Sequence, residues 1–119
     1  MPGEKPWLSS LTFVGFLVNS AIAKGHGDAI SFDEIYGNLE SGTLLQFLEQ
    51  KIPGEFDFSL MPPGSEQCIA VNHVLHDASA GFQGRERRKS GVETSGLHLL
   101  VAFILEAIQR RDWVLENRA

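Results

Sequence analysis

Two histidines and an aspartate fall together at His73-x-x-His76-Asp77, and no other residues of the chain are as well suited to chemistry. On a helix, positions three and four apart share a face. The two imidazoles and the carboxylate could then converge on a metal ion, with His26 or His98 adding a ligand from elsewhere. A His-Asp pair also serves metal-dependent phosphohydrolases, but these need further His and Asp ligands at set spacings on a helical framework. Here the residues before Asn72 read as strands. An amphipathic surface helix with two ordinary histidines accounts for the same spacing. Cys68 is a second candidate, as a nucleophile with His73 or His76 as base. Its setting, Gln67-Cys68-Ile69-Ala70-Val71, reads as buried, whereas a reactive thiolate needs an accessible, electropositive site. Arg85, Arg87, Arg88 and Lys89 form a basic cluster that could meet phosphate or an acidic protein face. Only Phe82 stands near it for base stacking, which argues against nucleic acid. The glycines at 25, 27, 81, 84 and 91 match neither a dinucleotide fingerprint nor a phosphate loop. No cofactor is implied.

These residues must be positioned by elements of two periods. Residues 6–24 read as a helix, with Pro6 in the first turn and Gly25 past the end. Ser31-x-x-Glu34 is a capping box that opens a short helix over 32–36, stopped by Gly37. Thr43-x-x-Gln46 repeats that pattern before a helix ending near Lys51, with Pro53-Gly54 as the stop. Residues 55–60, Glu-Phe-Asp-Phe-Ser-Leu, alternate polar and apolar, which predicts a half-buried strand. Residues 67–71 read as a second strand, antiparallel to the first. A helix over 72–80 follows, with Asn72 as its cap, or else the strand continues through these residues. Residues 82–94 read as a flexible basic loop. Thr94 or Ser95 caps a last helix over 96–117. The predicted fold is α+β: one domain over residues 1–119, with three to four helices packed on one face of a small antiparallel sheet. Phe56, Phe58 and Leu60 should point into the helices.

The bulk composition agrees with one ordinary globular domain. The chain has 119 residues, 43% hydrophobic and 21% charged, which suffices for one modest core. The net charge of -5 disfavours general attraction to nucleic acid. One cysteine permits no internal disulfide, in keeping with a cytoplasmic setting. The apolar stretch at residues 11–23 is too short to cross a bilayer, which takes about 20 residues, and lacks a clear cleavage site. It reads as a core helix, with a signal peptide as the alternative.

Two helices are apolar around most of their circumference, which implies burial on two sides or against a partner. On the last helix Leu97, Leu100, Val101, Ile104, Leu105 and Ile108 form a wide apolar surface, with Leu99 and Phe103 on the other side and Glu106, Arg110 and Arg111 as its rim. This predicts an interface between copies of the chain.

The stretches Thr43-Leu44-Leu45-Gln46-Phe47-Leu48, Gly54-Glu55-Phe56-Asp57-Phe58 and the apolar residues 69–78 resemble parts of the PATAN-type domains of bacterial signalling proteins. Residues 105–112, Leu-Glu-Ala-Ile-Gln-Arg-Arg-Asp, are similar to the ending of such domains. The resemblance covers about half the chain and implies a non-catalytic interaction module in signal transduction, carrying over no catalytic residue. The expected function is therefore a regulatory or protein-interaction domain, homo-oligomeric, with no membrane or nucleic-acid partner. The alternatives are a small metal-dependent hydrolase built on His73, His76 and Asp77, and an immunity-type inhibitor that meets a toxin with its acidic surface.

Overall fold

The computed structural model describes residues 6–88 and 95–116, with side chains at 8–81 and 95–110. Helix α1 spans Pro6–Ala23, and a short 3-10 turn, Gly27–Ala29, leads into α2, Phe32–Ser41. Helix α3 is Leu44–Lys51, α4 is Glu66–Arg88 and α5 is Gly96–Glu116. The described residues contain no strand, so the architecture is all-helical and the expected α+β fold is wrong. Helices α1, α4 and α5 pack against one another as a three-helix frame. Helix α2 packs on α4 and α5, and α3 continues the contact with α2 and α4.

Both expected strands fail for identifiable reasons. Cys68, Val71, Leu75 and Ala78 are buried, and their spacing of three and four is that of a helix face. Residues 67–71 sampled too little of this pattern to show its period. The start signal lay further back. The Ser65 hydroxyl accepts from the Cys68 amide at 3.2 Å and caps α4, placing Asn72 well inside the helix rather than at its start. Residues 55–60 do alternate, with Phe56 and Phe58 buried and Leu60 82% exposed. Yet none of the described residues pairs with them as a strand. The Phe58 amide donates to Glu49 Oε2 at 3.1 Å, and Ser59 N–H donates to Asp57 Oδ1 at 3.1 Å. Met61 N–H closes a turn onto the Phe58 carbonyl. The two rings stack at 5.8 Å and enter a helical core rather than one face of a sheet.

The Ser31–Glu34 capping box is present in both directions. Helix α2 runs past Gly37, which is exposed, and ends at Gly42, whose φ of 75° is left-handed. Thr43 does not cap α3. Its hydroxyl donates to Asn38 Oδ1 at 2.8 Å instead. Ser95 caps α5 by accepting from the His98 amide at 3.2 Å. Helix α4 extends to Arg88 and so takes in part of the stretch expected as a loop. No described helix is long and apolar enough to cross a membrane.

The core centres on Phe103, fully buried and tilted against Tyr36 at 5.6 Å. Leu97, Leu100 and Ile104 are buried with it, among α1, α2 and α4. Most of the apolar surface expected at a subunit interface is thus interior to the monomer.

Candidate functional site

Helix α4 lies across the C-terminal end of α2, and the crossing leaves a cleft of about 290 Å³. It is lined by Leu39, Glu40, Gly42, Ile69, Asn72, His73 and His76. Its geometry follows from three placements. Gly42 turns the chain sharply away at the end of α2, which opens the space. Asn72, on the inner side of α4, donates from Nδ2 to the Leu39 carbonyl at 3.0 Å, which also accepts from the Gly42 amide at 3.2 Å at the end of α2. Its Oδ1 is buried and accepts nothing from the described residues. His76, one turn further along α4, reaches Glu40 Oε2 with Nε2 at 2.9 Å.

His73 and His76 therefore do face the same cleft, as the spacing predicts. Their carboxylate partners differ. His73 pairs with Asp77 along its own helix, Nε2 to Oδ2 at 3.4 Å, whereas His76 pairs with Glu40 across to α2. His26 lies 3.9 Å from Glu55, and His98 is engaged with Ser95 at the start of α5. No group of three or more His, Cys, Asp or Glu among the described residues is arranged to hold a metal ion. Glu40 was not singled out by sequence, because it lies 36 residues from His76 and only the fold joins them.

Two features give the cleft its chemical character. The first is charge. Glu40 is exposed in the last turn of α2, a turn with no basic residue of its own. The carbonyl end of a helix carries partial negative charge, so carboxylate and helix end both attract a cation. The second is Ile69, 60% exposed on the outer side of α4's first turns. An aliphatic side chain thus stands beside two imidazoles and a carboxylate.

The other candidates fall elsewhere. Cys68 is buried on the inner side of α4, and burial raises its thiol pKa, with Glu49 adding to the effect against a backbone hydrogen bond at Gly64 that lowers it. The neutral thiol is a poor nucleophile. Arg110 is exposed, bonds Glu106 at 2.8 Å and reaches the Asp77 carbonyl with Nη1 at 3.3 Å, which ties α5 to α4 beside the histidines. Arg85, Arg87 and Arg88 lie on the last turns of α4, but their side chains, like that of Arg111, fall outside the described residues, as does Lys89 altogether.

Comparison of the chain with profiles of known families, with curated proteins and with solved structures returns no match.

Proposed function

We propose that this chain is a non-catalytic protein-interaction domain that receives a segment of a partner protein in the cleft between α2 and α4. The observation that carries this reading is Ile69. It is a large apolar side chain, 60% exposed, on a concave surface that it shares with Leu39 and with the polar side chains of Glu40, Asn72, His73 and His76. An apolar anchor inside a polar rim is the usual anatomy of a binding hot spot. The Glu40 carboxylate and the C-terminal end of α2 favour a segment that carries a Lys or Arg beside its apolar residue. The resemblance of residues 34–82 to PATAN-type domains points to the same kind of module, in signal transduction.

The test is comparative capture from a cell extract, read by mass spectrometry. The baits are the wild type, Ile69→Glu and Leu60→Glu. Leu60 is more exposed than Ile69 but is no part of the cleft, so its variant controls for added charge on an exposed apolar residue. A partner retained by the wild type and Leu60→Glu and lost by Ile69→Glu supports the reading. Capture that is the same for all three baits refutes it.

A further inference from the structure

The α2–α4 cleft leaves acceptors unmatched among the described residues. Asn72 Oδ1 is buried and accepts no hydrogen bond from them. No Lys or Arg lines the space. The Glu40 carboxylate meets the His76 Nε2 at 2.9 Å, and a histidine is a cation only when protonated. The side chains of Glu40 and His76 are 78% and 45% exposed, so an incoming group can reach both. The other charges around His76 have partners of their own. Along α4, His73 pairs with Asp77 at 3.4 Å. From α5, Arg110 bonds Glu106 and reaches the Asp77 carbonyl. On α3, Glu49 holds the Phe58 amide and Lys51 pairs with Glu34. Helix α1 carries no ionisable side chain. The His76–Glu40 pair thus spans the two helices that form the cleft, and its strength depends on one proton.

We propose that Glu40 seats the ammonium or guanidinium group of the partner segment's Lys or Arg, and that protonated His76 competes with that cation for the carboxylate. The cleft then holds its partner more tightly at neutral and alkaline pH than in acid. This inference rests on the reading of the cleft as a partner-binding site and adds how that site is regulated. The sign follows from the pair. A neutral imidazole leaves the negative charge of Glu40 unmatched, so an incoming cation is drawn to the carboxylate and to the carbonyl end of α2. Its N–H groups also bring donors to a cleft in which Asn72 Oδ1 has none, and its methylenes can lie along Ile69. Protonation makes the His76 Nε2–H a charge-assisted donor to Glu40. It also sets a positive charge where the partner's own must go. An exposed ion pair is weak, and a roughly two- to fivefold change in affinity is what such a pair can supply.

The probe is acetyl-leucyl-arginine amide, with its neutral counterpart acetyl-leucyl-citrulline amide as the control. Each is titrated into the isotope-labelled full chain, and binding is followed by NMR at the Ile69 methyl signals at about pH 8 and about pH 5.5. That window spans the ordinary histidine range and stays above the ordinary carboxylate range. The arginine peptide should bind roughly two- to fivefold more weakly at the lower pH. The ratio of the two affinities is the readout, so a change in absolute affinity does not obscure it. His76→Gln should bring the ratio close to one, and His73→Gln should retain it. The citrulline peptide should bind more weakly than the arginine peptide at the higher pH and show no such ratio. An arginine peptide that binds at Ile69 equally well at both pH values overturns the inference and leaves the cleft reading standing. So does a ratio that survives His76→Gln, or a citrulline peptide that matches the arginine peptide. An arginine peptide that moves no Ile69 signal at about 10 mM overturns the cleft reading as well.

Discussion

Replacing Gly96 with alanine tests a close backbone approach between α5 and the start of α2. Gly96 is the first residue of α5, and its amide donates to the Ile30 carbonyl at 2.8 Å. A Cβ on Gly96 would sit 2.7 Å from the carbonyl oxygens of both Ile30 and Ser31, and 2.9 Å from Ile30 Cγ2. Two of these three atoms are backbone and cannot rotate away. The chain must therefore part by several tenths of an ångström just where α5 is joined to the start of α2. Overpacking of this kind costs about 1–3 kcal/mol. Stretching the Gly96–Ile30 hydrogen bond adds about 0.5–1.5 kcal/mol. Together the loss is about 2–4 kcal/mol, a sizeable share of the roughly 6–18 kcal/mol expected for a chain of this length. At about 4 °C per kcal/mol the melting temperature should fall by roughly 8–16 °C. Gly37 supplies the contrast. It sits exposed inside α2 with open space where a Cβ would go, so Gly37→Ala should stabilise by about 0.5–1 kcal/mol. The assay is urea unfolding followed by circular dichroism, with thermal melts alongside. A Gly96→Ala variant within about 0.5 kcal/mol of the wild type would refute the steric reasoning.

Phe103→Ala should cost about 3–5 kcal/mol, because that ring is fully buried at the meeting of the helices, whereas Phe16→Ala, at a ring 69% exposed, should move the unfolding midpoint little. Equal losses in the two variants would mean that the burial pattern is wrong. A third expectation concerns acid. The Ser31 amide, first, and then Lys51 hold the Glu34 carboxyl below its ordinary pKa. A group with a depressed folded pKa stabilises the fold above the ordinary carboxylate range and loses that contribution as pH falls through its lowered value. Unfolding midpoints measured from neutral to acid pH should therefore fall less steeply for Glu34→Gln than for the wild type, and an identical acid dependence would count against the capping box as the cause.

The local signals that were legible in the sequence were those complete within a few residues. Ser31 and Glu34 spell out the start of α2, and Gly25 marks the chain's turn after α1 with a φ of 93°. The alternation of Phe56 and Phe58 correctly announced two buried rings. What it could not announce was whether another strand lay beside them, because pairing is settled by residues distant in the chain. Residues 67–71 misled for the opposite reason, since only the run from Cys68 to Ala78 reveals the helical period. The site was half visible. His73 and His76 announced a shared helix face, but Glu40 and the end of α2 joined them only through the fold. On α5, Leu97, Leu100 and Ile104 are buried, and so is Phe103, which the helical spacing set on the other side of the helix. The owner of this apolar surface was misjudged, because composition does not say that α1, α2 and α4 all converge there.

The Glu49 carboxylate has a role beyond local geometry. Glu-Phe-Asp-Phe-Ser-Leu is the sort of alternating segment that, with its amides in an open row, recruits the same segment from other molecules into fibrillar stacks. Here one amide of that row is held by Glu49, others close onto the segment's own turns, and Pro62-Pro63 follow at once, unable to donate. The protein thus delivers two phenylalanines to its core while part of the segment's amide row is already engaged.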